Sequence, residues 1–334
     1  MATKDDLVAL LAATEAAQQA RVPWWQVARA AARLGSAAAL LTEPWEPSDR
    51  WEQEVAAALA HDLRPDAQTH WSEELERWQA SDERLRFMTI LDQEYPASLR
   101  LVFNPPPFLT LRGELAAEDA RGVAVVGTRR PSEEGIRRAG RLSRELAEAG
   151  ITVYSGLAAG IDSAAHAGAL DGGGRTVAVL GHGLLRPIYP KENAPLAETI
   201  ANSAALVSQF RPDTPPTKGT FPMRNVVTSG LSQGTIVVEA SRTSGSRMQA
   251  RLAAEQGKQV WLLRSLVDEF DWAREFAERR PSEVRVVERT DDILEQVVDA
   301  QAIAEQAANG LPPVAFAEER RRGEPAEPQF ALFE

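Results

Sequence analysis

Four short stretches of this 334-residue chain combine glycine with cations, hydroxyls or an aromatic ring, the groups that cradle a phosphate or stack a base. "VVGTRRPS" (125–132) sets Arg129 and Arg130 behind Gly127, just before a helix start. Backbone N–H groups there favour anions, and an arginine fork adds bidentate phosphate contacts. "SGLAAGIDSAAHAGAL" (155–170) places Gly156 and Gly160 among small residues, ahead of Asp162 and His166. Small residues admit a phosphate backbone or a packed helix equally well, and Asp162 is also satisfied as an N-cap. "PPTKGTFPMRN" (215–225) carries Lys218, Phe221, Arg224 and Asn225 on a Gly-containing loop. A cation and a ring so close suit a phosphate and a stacked base; the alternative is a loop whose Phe tucks into the core. "VVEASRTSGSRMQARLA" (237–253) turns through Ser244, Gly245 and Ser246 into a helix, either as a phosphate cradle or with Ser246 as a plain N-cap.

These stretches need a scaffold, and the flanking patterns supply one. "GVAVVG", "ITVYSG", "RTVAVLG", "AALVSQF", "GTIVVEA" and "KQVWLL" are apolar runs of strand length. Helical segments separate several of them, such as "SEEGIRRAGRLSRELAEAG", opened by Ser132 and closed by Gly150. Apolar strands alternating with helices predict an α/β fold with a parallel sheet covered on both faces. The four stretches then fall at carboxyl ends of strands, where open parallel sheets bind ligands. Residues 1–85 read as a small helical N-terminal domain, with six of the eight Trp as core fillers. Residues 86–305 form the sheet domain, whose first part, "FMTILDQEYPASLRLVFNPPPFLTLRGEL", is β-rich and broken by prolines. Residues 306–334, rich in Pro, Glu and Arg, read as a disordered tail.

Composition narrows the chemistry. The absence of cysteine excludes disulfides, thiol nucleophiles and Cys-ligated metal sites, and fits a reducing, cytoplasmic setting. The four histidines have no metal-ligand spacing, so neither a metal nor a cofactor is expected. No apolar run approaches a membrane span, and "MATKDDLVAL" lacks signal-peptide design. The net charge of -11 argues against an anionic partner, but it is unevenly spread. Residues 121–265 hold 18 basic against 11 acidic side chains, leaving 19 against 37 elsewhere. An anionic ligand for the middle of the chain is therefore compatible with the acidic total.

In order and spacing, "VVGTRRP", "SGLAAGIDSAAHAGAL", "AVLGHGL…IYPKEN", "FPMRNVVTSGLS" and "VVEAS…SGSRMQARLAAEQGKQV" resemble the DNA-processing protein A family (DprA, also called Smf). The resemblance implies an extended Rossmann-type fold, single-stranded DNA binding, a homodimer, and delivery of the strand to the RecA recombinase, notably in natural transformation. It implies no catalytic activity. It puts Arg129 at the family's phosphate-contacting arginine, Lys218 and Phe221 at its strand-binding lysine and aromatic, Arg224 and Asn225 at its "RN" pair, and Ser244, Gly245 and Ser246 at its "SGS" turn. Gly156 and Gly160 would line the same groove. The chain departs from the family at Ala159, where an arginine is usual, and at Met223 and Val226, where two more cations are usual. Fewer cations mean weaker phosphate binding with a flatter salt dependence. Arg247 and Gln249 add polarity behind the SGS turn, and neither a family-type N-terminal helical segment nor a C-terminal winged helix is recognisable.

Two further readings stand beside this one. "PQFALFE" resembles the short Gln-x-x-Leu-Phe peptides that dock on the bacterial sliding clamp, with Gln329 on the rim of a pocket and Leu332 and Phe333 inside it. The alternative to strand binding is a nucleotide sensor, or a phosphoribohydrolase of the wider lysine-decarboxylase-like fold with Glu239 as its acid. The "PGGxGT" loop usual in those hydrolases is missing; "SQGTIVVEA" stands in its place.

Overall fold

A computed structural model describes residues 2–42, 44–241 and 244–308. The sheet has nine strands: β1 (Leu85–Thr89), β2 (Phe108–Gly113), β3 (Gly122–Val126), β4 (Thr152–Ser155), β5 (Thr176–Val179), β6 (Ala205–Ser208), β7 (Gly234–Val237), β8 (Gln259–Leu263) and β9 (Val284–Val287). Their order is β1-β2-β6-β5-β4-β3-β7-β8-β9. The seven strands from β6 to β9 run parallel. The hairpin β1-β2 adds an antiparallel edge, with β2 antiparallel to β6. The alternating strands and helices predict the parallel part of this sheet, and the β-rich stretch before them supplies the antiparallel edge. The connection between β1 and β2 is Pro-rich and carries only one turn of helix, α6, in place of the full crossover helix of a parallel unit.

Helices α1 (Lys4–Gln19), α2 (Trp24–Leu34), α3 (Ala39–Thr42), α4 (Arg50–Asp62) and α5 (Ala67–Ser81) precede the sheet. Then come α6 (Ala97–Arg100), α7 (Glu133–Glu148), α8 (Ile161–Asp171), α9 (Ala194–Ser203), α10 (Thr220–Leu231), α11 (Gly245–Glu255), α12 (Arg264–Glu269), α13 (Asp271–Arg279), α14 (Asp291–Leu294) and α15 (Ala300–Ala308). The last three residues of α15 lie in the segment expected to be tail. Residues 309–334, including Gln329, Leu332 and Phe333, fall outside the described residues.

Alternation along the strands sends successive residues to opposite faces. Val123, Val125, Val153, Ile236 and Trp261 pack against α7 and α8. Ala124, Tyr154, Val177 and Val179 pack with Val227 and Leu231 of α10, while Val126, Val237, Val260 and Leu262 pack with α11 to α13. Helices α7 and α8 approach so closely that a Cβ at Gly168 would overlap the backbone of Gly140.

The first five helices do not enclose a core of their own. Leu10, Leu11, Val27, Val55, Trp71 and Trp78 share one apolar cluster with Phe108, Ala178, Leu180, Leu206 and Ile200. Of the six N-terminal Trp, only Trp71 and Trp78 are fully buried. Trp24 leans edge-on against Phe210, at 6.0 Å between ring centroids, and so belongs to the seam with the sheet. Arg84–Glu198 and Arg77–Asp213 ion pairs cross the same seam. Helix α1 starts on a capping box in which Thr3 is the N-cap and Asp6 the returning carboxylate. Asp6 also accepts from Ser36 and from the Ala37 and Ala38 amides. Burial would raise its carboxyl, but these hydrogen bonds outweigh that and hold it at about 2.

A candidate nucleic-acid interface

The carboxyl ends of β3, β4 and β5 carry an exposed cluster of cations around two aromatic rings. Phe221, in the first turn of α10, is half-buried and seated on Gly181, just past β5: a Cβ there would come within 2.7 Å of the ring. The Arg129 guanidinium, reaching from the β3–α7 loop, lies over the Phe221 ring at 5.0 Å. Tyr189 meets the same ring at 6.0 Å, tilted by 47°, and is 51% exposed. Lys218 stands on a short turn fastened at both ends. The Thr217 hydroxyl accepts from the Thr220 amide (3.1 Å), and the Thr220 hydroxyl accepts from the Thr217 amide (3.0 Å). Lys191 follows Tyr189 in a single turn of 3₁₀ helix, and Asn193 of that turn donates to the Leu157 carbonyl at 2.8 Å. Leu157 itself takes a left-handed conformation (φ 56°), which costs a non-glycine residue about 1 kcal/mol.

The conjunction of unpaired cations with adjoining aromatic rings separates this cluster from an ordinary solvated face. Many arginines elsewhere are bonded to carboxylates, as in Arg33–Glu52, Arg112–Asp82, Arg138–Glu134 and Arg175–Asp119, although exposed Arg86, Arg141 and Arg285 are not. Among the described residues, Arg129, Arg130, Lys191 and Lys218 have no carboxylate partner, and all four are exposed. Unpaired cations beside aromatic faces make a surface for a polyanion with π-faces.

Several expected residues sit elsewhere in this architecture. Arg224 is not on the surface: it is 8% exposed and donates to the Val179 carbonyl at 2.6 Å. Its guanidinium fills the space a Cβ at Gly156 would need. Gly156 is thus required by the protein's own cation. Gly160 (φ 87°) likewise faces protein, since a Cβ there would lie 2.6 Å from the Thr128 carbonyl and 2.7 Å from Pro131. Asn225, beside Arg224, is 9% exposed, and its amide bonds to no other described residue.

Asp162 does not cap its own helix. It lies within α8, buried, and one oxygen accepts from the Gly156 amide at 3.1 Å and the Ala158 amide at 3.4 Å, folding the loop over it. Burial pushes its carboxyl above the ordinary value, opposed chiefly by the Arg224 charge. Burial lowers the Arg224 guanidinium in turn, and Asp162 opposes that shift. His166 is a core histidine. The Thr176 hydroxyl donates to the Val153 carbonyl, so at 2.6 Å it accepts from Nδ1–H of His166. Burial, with Arg224 nearby, lowers this imidazole to about 3, and it is neutral.

The amino end of α7 is already occupied by an anion. The Glu239 carboxylate accepts from the Ser132 amide at 3.0 Å and the Ser132 hydroxyl at 2.8 Å, and a Cβ at Gly135 would overlap it. The phosphate-binding capacity expected of this helix start is taken by the side chain that a hydrolase reading requires as its acid. At α11 the N-cap is Ser244, not Ser246. The Ser244 hydroxyl accepts from the Ser246 amide, Ser246 is buried, and Gly245 faces open space. The two polar departures behind this turn point away from it. Arg247 lies over the Trp272 ring at 5.6 Å, and Gln249 is buried beside Thr235. Ala159 is exposed and Met223 and Val226 are half-buried, so cations at those positions would have enlarged the basic surface.

A family model described as DNA recombination-mediator protein A matches residues 86–297. The chain belongs to this family. It is 38% identical over 181 residues to the DNA processing protein DprA of Bacillus subtilis, covering 54% of this chain and 61% of that protein. It is 47% identical over 170 residues to protein Smf of Escherichia coli, covering 51% of this chain and 45% of that protein. The matched stretch thus spans less than two thirds of either relative. DprA from Streptococcus pneumoniae, known from an X-ray structure, superposes with a TM-score of 0.67 at 26% identity over 89% of this chain and 99% of that one. DprA from Helicobacter pylori, whose structure describes a single-stranded DNA binding mode, superposes with a TM-score of 0.56 at 28% identity over 64% and 96%. Family membership accounts for the nine-stranded Rossmann-type sheet. Tyr189 and Lys191 were not singled out from sequence, although both lie in the quoted "IYPKEN"; only the fold brings that segment against "KGTFP".

Proposed function

We propose that the chain is a single-stranded DNA-binding mediator of the DprA type, acting in the cytoplasm without catalysing a reaction on the strand. The observation that carries this reading is the exposed Arg129–Phe221–Tyr189 cluster with carboxylate-free Arg130, Lys191 and Lys218 around it. Phosphates lie on Arg129 and Lys218, a base stacks on Phe221, and the open face of Gly245 with the Ser244 hydroxyl receives a further phosphate. Asn225 offers its unengaged amide. Arg224, Gly156 and Gly160 hold the wall of the groove from within. Single-strand proteins of this kind combine a basic track with sequence-tolerant stacking. By analogy with the family, the bound strand is passed to RecA, and the protein acts as a homodimer. Docking of Gln329, Leu332 and Phe333 on the sliding clamp is a separate proposal resting on sequence alone.

The test is fluorescence anisotropy with labelled oligo(dT) and with mononucleotides at two salt concentrations. The parent binds the oligonucleotide, and the double variant Arg129→Ala/Lys218→Ala does not. Equal binding by parent and double variant would refute the site. The competing hydrolase reading loses its acid to the α7 cap. Release of free base from AMP, dependent on Glu239, would restore it.

A further inference from the structure

We infer that Tyr189 is a second stacking platform, so that the site engages two consecutive nucleotides whose bases are splayed apart. This rests on the single-strand reading above. Tyr189 is the one aromatic among the exposed large hydrophobic side chains of the described residues, and its position beside Phe221 gives that exposure a use. The Tyr189 ring abuts Phe221, and its hydroxyl bonds to no described residue, so nothing but the ring contact commits it. The segment carrying it is fixed, because Asn193 ties its far end to the Leu157 carbonyl in the loop after β4. Phe221 is fixed from below by Gly181. The two rings are therefore held relative to each other by separate elements before any strand arrives.

Their spacing decides what they accept. Stacked bases in a duplex lie about 3.4 Å apart and parallel. The Tyr189 and Phe221 centroids are 6.0 Å apart with planes inclined at 47°. Two bases lying on these rings cannot remain stacked on each other or paired in a helix. A duplex therefore cannot use either ring as a base platform, and a mononucleotide uses only half of the surface. Arg129 over Phe221 and Lys191 beside Tyr189 supply one cation for each nucleotide.

The experiment uses the full chain, with dT oligonucleotides carrying 2-aminopurine at one of two adjacent positions, and the variants Tyr189→Ala, Tyr189→Phe and Phe221→Ala. Loss of one stacked base lowers affinity by about 10-fold, within the range for single aromatic substitutions. Tyr189→Ala is expected to show that loss and to restore the fluorescence of one 2-aminopurine position while leaving its neighbour quenched. Phe221→Ala should do the reverse, and Tyr189→Phe should match the parent. Tyr189→Ala with unchanged affinity and quenching, while Phe221→Ala loses both, overturns the second platform but leaves the strand site standing. If neither substitution changes binding, the strand site falls too. Retention of native ellipticity and melting midpoint by each variant separates these outcomes from misfolding.

Discussion

Replacing Arg224 with Ala should cost the protein stability rather than a DNA contact. The guanidinium is buried, donates to the Val179 carbonyl, and is the main charge opposing the rise of the buried Asp162 carboxyl. Its removal leaves a buried carbonyl without its donor and a buried carboxyl without the charge that chiefly opposes its rise, a loss of about 1–3 kcal/mol. The loss should depend on pH, with a sign that can be worked out. Burial holds the Asp162 carboxyl above its ordinary value, so its stabilising contribution is complete below the unfolded value of about 3.9 and falls as pH rises through the folded one. Without Arg224 the folded value rises further, and that fall continues over a wider interval. The deficit of the variant therefore grows as pH rises and is smallest in acid, below the folded values of both proteins. Urea unfolding followed by tryptophan fluorescence at several pH values measures it, and oligo(dT) binding well below the melting midpoint should change little. A variant as stable as the parent across this range, yet unable to bind DNA, would place Arg224 on the strand and refute the buried-scaffold account.

Loss of the Arg129 or the Lys218 phosphate contact should each flatten the plot of log affinity against log salt by roughly 0.7, the value for one single-strand contact, measured by titration at several salt concentrations with Arg129→Ala and Lys218→Ala separately. Glu239→Gln should destabilise by about 0.5–1 kcal/mol through the α7 cap, seen in urea melts, and should leave AMP intact in both proteins. Gly168→Ala should cost about 1–3 kcal/mol in the same melts, since its methyl group meets the Gly140 backbone. Gly245→Ala faces open space, so stability should change by less than about 0.5 kcal/mol while anisotropy shows weaker oligonucleotide binding, because the methyl group takes up room left for a phosphate.

The sheet was legible because its strands are short, continuous apolar runs bounded by Gly, and the helix from Ser132 to Gly150 was legible because both its ends carry cap residues. The antiparallel edge was harder to read, since β1 and β2 are separated by prolines and their partners lie far along the chain. Within the site, Lys218 and Arg224 look alike as letters. One stands before the helix start on a Thr-fastened turn, and the other points inward one turn along it. Glycines are ambiguous for the same reason. Gly156, Gly160 and Gly245 all permit close approach, but only the fold shows that the first two face protein and the third faces space. Glu239 was noticed as an acid, yet its partner Ser132 lies 107 positions away, beyond any local pattern.

The family match begins at residue 86, inside β1, but the apolar cluster that covers this end of the sheet begins with Leu7. A chain cut at that border would leave Phe108, Leu180, Leu184 and Leu206 facing water, a greasy flank next to an unprotected edge strand. Such a fragment should aggregate where the whole chain stays dispersed. The intact protein should melt in a single step, without an early release of its amino-terminal helices. Limited proteolysis should likewise spare the junction between α5 and β1, where Arg112 and Arg84 both reach Asp82. The part that matches the family and the part that packs as one unit therefore differ in this molecule, the packed unit reaching back beyond the match to the first helix.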